Sequence, residues 1–286
     1  MDGLYVVTLV ESPADALRAR RMLASRLAFG GELGQAPVWI YATQPVMGGL
    51  PGEDTALVEV PPAIARYPFA AKVCAYAAAE ERARQAGAGT LVWLNPECLV
   101  VKPPRLFELA GKVDAAFRPV HHRNIGSLSG RPLNPFWVRV YASAGLSDAP
   151  GVVESFADRQ ILRPYYNTHC FALNPALGLG AAWLQNFTAL VNDRIFQSTA
   201  CRQPLRRIFL HQAVLSALLT RRVSPARLRL LPSDYSYPLH FHAKLTAQGR
   251  SLRLDETTVA VYEDEAQLYR AEVEGPLKTW LDAELR

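Results

Sequence analysis

Apolar and polar positions alternate along this chain in short strand-like runs separated by longer helix-like segments. Tyr5-Val6-Val7-Thr8-Leu9-Val10 is a β-branched run, and Glu11-Ser12-Pro13 after it supplies a helix start, with Ser12 as cap and Pro13 in the first turn. Residues 16–29 set Leu17, Met22, Leu23 and Leu27 among arginines, an amphipathic pattern closed by Gly30-Gly31. Pro37-Val38-Trp39-Ile40-Tyr41 reads as a second strand, residues 44–54 as a Gly- and Pro-rich loop, and Ala56-Leu57-Val58-Glu59-Val60 as a third strand. Residues 69–85 are rich in Ala, Glu, Arg and Lys, which predicts a helix stopped by Gly87 and Gly89. This β-α-β-loop-β order predicts a parallel sheet.

The next stretch organises the chain. In Leu91-Val92-Trp93-Leu94-Asn95-Pro96-Glu97-Cys98-Leu99-Val100-Val101-Lys102 an apolar run stops at a polar triplet and resumes, so Asn95-Pro96-Glu97 reads as a bend between two buried strands. Ligands of open α/β sheets gather at the carboxyl ends of strands, where a carboxylate held between buried strands suits a cation or a phosphate-linked ligand. A solvated turn is the bland alternative. Further on, the pattern predicts a short helix over 106–110, a strand over 113–117 and a loop over 118–131 that contains His121-His122-Arg123. Residues 135–144 fit helix or strand, 168–173 a strand, and 181–193 and 205–219 helices. In the last of these Leu205, Ile208, Phe209, Leu215 and Leu219 recur at helical spacing, and His211 and Gln212 straddle the same stripe, so two polar side chains face inward. Strand-like pieces at 228–231, 235–241 and 258–262 precede a helix over 276–285.

Composition narrows the class. Of 286 residues half are hydrophobic and a fifth charged, the balance of a globular protein, and no apolar run approaches the roughly 18–20 residues needed to cross a bilayer. An acid at Asp2 stands where a signal peptide carries basic residues, which points to the cytosol. Cys74, Cys98, Cys170 and Cys201 form no CxxC pair, so reduced, buried thiols are expected. The net charge of +5 suits anionic small molecules or a membrane surface and is too diffuse to imply nucleic-acid binding alone. Residues 202–229 hold seven arginines, for which a solvated helix face is the plain reading. With no repeat or linker, one domain over 1–286 is expected.

Set in chain order, several of these features resemble a GT-A glycosyltransferase. They are Thr8-Leu9 after the first strand, the Lys72 helix leading into 91–101, the Tyr166-Asn167-Thr168 turn, His211-Gln212 and Leu239-His240-Phe241-His242. The likeness is to the retaining nucleotide-sugar enzymes that include glycogenin and the bacterial lipopolysaccharide galactosyltransferases, and it spans roughly residues 4–245. It implies a single α/β domain with a mixed, mostly parallel central sheet flanked by helices, a Rossmann-like nucleotide-binding half over 1–117 and a sugar and acceptor half over 118–286. It further implies a UDP-sugar donor and an acceptor that is a saccharide, lipid or protein.

In that family an Asp-x-Asp motif holds a divalent metal, manganese or magnesium, on the donor diphosphate. Asn95 and Glu97 occupy its two acidic positions, so the charge falls by one, and His240 or His242 matches the family's further metal ligand. Strand alternation through 240–242 would put both histidines on one face. Asn167 matches a sugar-contacting asparagine, with Thr168-His169 in place of a small Ser-Gly pair. His211-Gln212 stands where the family has Asp-Gln, and Lys72 resembles a basic donor contact, as Thr8, Leu9 and Asn95 resemble nucleotide contacts. Two rivals follow from the departures: a relative that binds nucleotides or sugars without transfer, and a nucleotidyltransferase, whose Gly-rich basic loop is absent from Val10-Glu11-Ser12-Pro13.

Overall fold

The computed structural model describes residues 3–45 and 54–285. Most of the loop predicted over 44–54 lies outside the described residues, as do Met1 and Asp2. Strand β1 (Gly3–Val10) leads into helix α1 (Pro13–Phe29), and the expected cap forms, with the Ser12 hydroxyl accepting from the Asp15 amide at 3.1 Å. A short turn of helix α2 (Glu32–Gln35) precedes β2 (Val38–Ala42), and β3 (Asp54–Leu57) follows. Next come α3 (Ala70–Gln85), β4 (Ala88–Leu94), β5 (Cys98–Val100) and β6 (Ala115–Phe117). The second half brings α4 (Pro135–Ser143), the hairpin β7 (Val153–Glu154) and β8 (Ile161–Leu162), β9 (Cys170–Leu173) and α5 (Leu179–Asn192). After these lie α6 (Arg194–Ser198), α7 (Pro204–Ile208), α8 (Leu210–Arg222), β10 (Leu228–Leu230) and β11 (Tyr237–Pro238). The described chain ends with α9 (His242–Ala247), β12 (Val259–Val261), α10 (Glu265–Arg270) and α11 (Gly275–Glu284).

Seven strands form one sheet in the order β10-β6-β9-β4-β1-β2-β3, parallel except for β9, which runs against both neighbours. Alternation sorts the side chains of β1: Val7 and Leu9 face the core under α3, α5 and α8, and Val6 and Val10 face the core under α1. The chain leaves β1 toward β2 and β3, then returns to β4 on the other side, so a topological switch point lies between β1 and β4.

Several elements depart from the sequence pattern. The apolar run after the bend, β5, leaves the main sheet and pairs with β12 in a second sheet of order β11-β12-β5. The helix predicted over 205–219 is two helices broken at Phe209, and Leu205 and Ile208 are exposed, because the break turns the first part of the stripe away from the core. The strand predicted over 235–241 is a two-residue strand followed by a 3₁₀ turn over Leu239–Phe241. Pro238 supplies no amide hydrogen to extend the ladder. The four cysteines are free and buried, and among the described residues no helix is long and apolar enough to cross a membrane.

Candidate active site

The bend at 95–97 is built by backbone bonds on both sides. Asn95 N–H donates to the His169 carbonyl at 2.8 Å, Cys98 N–H to the Asn95 carbonyl at 3.0 Å, and Tyr262 N–H to the Glu97 carbonyl at 3.2 Å. Leu91 and Trp93 of β4 face α3, so the next position of that alternation, Asn95, points the same way. There Asn95 Oδ1 accepts from the Trp93 indole at 2.6 Å and from the Lys72 ammonium at 2.9 Å, while Nδ2 donates to Glu97 Oε1 at 2.6 Å. These partners fix the amide's orientation, since a flip would set its NH2 against two donors. Lys72 also donates to the Thr168 carbonyl at 2.6 Å and lies 5.1 Å from the Trp93 ring. Burial draws its pKa down to about 8, and the charge of Glu97 opposes that fall.

A cavity of about 320 Å³ opens on this bend. Its wall comes from separate segments: Phe69 and Lys72 at the start of α3, Asn95 and Glu97, the 120–124 loop, Asn167-Thr168-His169, the start of α8, and His240-Phe241. Five of the chain's six histidines line it. Three are held neutral by burial. His121 and His211 are pushed well below the usual imidazole value, and His169 falls to about 3, with the charges of Arg118 and Lys72 adding to the effect. His211 is oriented by its neighbours. Its Nδ1 lies 2.9 Å from the Ile208 carbonyl, so Nδ1 carries the proton and Nε2 is an acceptor 3.3 Å from the Thr168 hydroxyl. The same hydroxyl lies 3.5 Å from Gln212 Oε1. Asn167 Oδ1 accepts from the His169 amide at 2.7 Å and from Ser236 at 3.3 Å, which leaves its NH2 group toward His121 at 3.4 Å.

The cavity thus gathers Gln212, His211, Asn167, Lys72, Asn95, Glu97 and His240. Other expected residues fall elsewhere. Thr8 and Leu9 lie buried within β1, and the lining of a second cavity, of about 420 Å³, begins one residue later, at Val10, Glu11 and Ser12, and includes Arg20 and Gln44. His242 is not beside His240 on a strand face: it starts α9, and its Nδ1 pairs with the Tyr237 hydroxyl at 3.0 Å. Sequence reasoning also passed over Phe69, held at a positive φ of 62° with its ring 4.2 Å from His211, and Ser236, which a turn far along the chain brings to Asn167. Neither has a local signature.

The residues at the bend do not fit a divalent metal. Among the described residues no group of three or more His, Cys, Asp and Glu is placed to hold one, and both lone pairs of Asn95 Oδ1 are taken by Lys72 and Trp93. A cation ligated by that oxygen at about 2.2 Å would stand within about 5 Å of the Lys72 nitrogen, where an effective dielectric constant of about 20 gives roughly 7 kcal/mol of repulsion.

The arrangement of sheet and helices is that of a glycosyltransferase fold, as solved structures that superpose on this chain show. Crystal structures of the glycosyltransferase GlyE from Streptococcus pneumoniae TIGR4 match it with TM-scores of 0.51 and 0.53 at 10% and 11% identity, covering all of this chain and 61% of theirs. The apo structure of the bifunctional glycosyltransferase WbbM matches with a TM-score of 0.50 at 10% identity, covering 99% of this chain and 52% of that one. The chain therefore spans between half and two thirds of these proteins. No family model and no curated protein matches the sequence.

Proposed function

We propose that this protein transfers a sugar from a nucleoside-diphosphate donor, a UDP-sugar in the first instance, to an acceptor hydroxyl. The observation that carries the reading is the convergence of Lys72, Asn95, Asn167 and Gln212 on one cavity at the end of β4, on a sheet shared with glycosyltransferases. The adjacent cavity at the ends of β1 and β2 suits the nucleoside, with an apolar wall from Val10, Ala16 and Leu17 for the base and Arg20 at its side. Lys72 faces the diphosphate, and Asn167 and Gln212 orient the sugar.

In the reaction the C1–O bond to the β-phosphate breaks and its electron pair passes to the phosphate oxygen. The acceptor oxygen forms the new C1–O bond, and its proton passes to the released diphosphate. Charge grows on the leaving group as the bond breaks, and a buried cation already in place stabilises it without reorganisation. The resemblance to retaining enzymes motivates retention at C1 as the outcome to be tested.

A panel of nucleotide sugars, with release of the nucleoside diphosphate as readout and NMR of the product anomer, tests this. Turnover with at least one UDP-sugar is expected. Micromolar binding without turnover would convert the protein into a nucleotide-binding relative, and absence of both would end the reading.

A further inference from the structure

Two local rules are broken at Lys72. A helix N-terminus carries partial positive charge and favours acids in its first turn, yet α3 begins Ala70-Ala71-Lys72 with no acid there. Buried lysines are rare unless paired, yet Lys72 is 3% exposed, and its two hydrogen-bond acceptors, Asn95 Oδ1 and the Thr168 carbonyl, are both neutral. Glu97, the carboxylate of the bend, spends Oε1 on the Asn95 amide and acts on the ammonium through space without a hydrogen bond to it. Helix end and ammonium therefore set positive charge at the wall that Phe69 and Lys72 line, with the carboxylates Glu97 and Glu263 elsewhere on the same cavity, and among the described residues two acceptors take hydrogens from the ammonium, one fewer than it can donate. A bound anion would favour both features.

We propose that the Lys72 ammonium, backed by the N-terminus of α3, takes the place of a divalent cation, so that a nucleoside diphosphate binds and its sugar is transferred without metal. Asn95 is the residue that permits the exchange. An aspartate at this position would neutralise the ammonium at 2.9 Å, whereas the amide carbonyl holds it by a hydrogen bond and leaves its charge for the diphosphate. The substitution of the first acidic position and the buried lysine are thus two halves of one device. Glu97 then acts as a positioning residue, turning the Asn95 carbonyl toward Lys72. This inference rests on the nucleotide-sugar reading.

Calorimetric titration of the full chain with UDP, in EDTA and again in manganese, separates the two. We expect UDP to bind in EDTA with an affinity that manganese changes less than about threefold, and Lys72→Met, which keeps the unbranched stem, to weaken binding roughly thirtyfold. Asn95→Asp adds a second measurement that survives misfolding of the lysine variant: binding in EDTA should weaken roughly tenfold. UDP binding that requires manganese and tolerates Lys72→Met in a folded protein would overturn the inference while keeping the nucleotide-sugar reading. Absence of UDP binding to the wild-type chain in either buffer would overturn both.

Discussion

The two cavities at the carboxyl edge of the sheet are built in opposite ways. The one beside β1 is made by neighbours in sequence, Val10 through Leu17 with Arg20, and closed by Gln44 and Pro45 after β2. The one beside β4 draws on segments from Phe69 to Glu263 and packs ionisable groups against one another. A local turn can be read residue by residue because its caps and hydrogen bonds span a few positions. A cavity assembled across nearly two hundred residues has properties, such as neutral histidines and a depressed lysine, that none of its segments carries alone.

The comparison breaks most readily with pH. His121, His169 and His211 are neutral in the folded protein because burial and nearby cations lower their pKa values below the unfolded value. As pH falls through about 6.5 the unfolded chain takes up protons that the folded chain refuses, so unfolding becomes easier, by about 1.4 kcal/mol per pH unit for each histidine. Three histidines give a slope of up to about 4 kcal/mol per unit, enough to unfold a domain of ordinary stability near pH 5. Urea titrations between pH 7.5 and 5 measure it. A flat profile would mean that the histidines are solvated and the cavity is not closed as described.

Trp183 gives the next largest effect. It is fully buried against Tyr76, and its indole donates to the His211 carbonyl at 2.7 Å. Trp183→Ala should cost about 3–5 kcal/mol, and Trp183→Phe about 1 kcal/mol through the lost indole hydrogen bond. Denaturant midpoints decide between these values.

Gln212→Ala separates catalysis from stability. It should lower transfer about a hundredfold, by loosening the sugar's orientation, with UDP affinity nearly unchanged. An equal loss of UDP affinity would assign Gln212 to the diphosphate. The smallest effect belongs to the local cavity. Ser12→Ala removes the cap of α1 and should cost about 1 kcal/mol without altering the acid limb of the stability profile. A change in that limb would show that the two cavities are coupled.

Much of the framework was legible beforehand. The strand, cap and helix from Tyr5 to Phe29, the Ala-rich helix before Gly87, and the bend at 95–97 appeared where hydrophobic period and turn chemistry put them. The burial of His211 and Gln212 followed from their place on an apolar stripe. The errors share a cause. Leu205 and Ile208 looked like core because their spacing is helical, but only packing shows that the helix breaks at Phe209. His240 and His242 looked like a ligand pair because strand alternation was assumed for a segment that turns into 3₁₀ and α-helix.

By itself the sequence determined the alternation of strands and helices, the polar interruption between two buried runs, and the single carboxylate that the interruption carries. These are local quantities, set by periodicity, propensity and side-chain chemistry. Tertiary structure alone decided that Lys72 reaches Asn95, that β5 crosses into a second sheet, and that histidines from distant segments share one cavity. Such contacts depend on how strands and helices pack in space, and burial then changes the charge each group can carry.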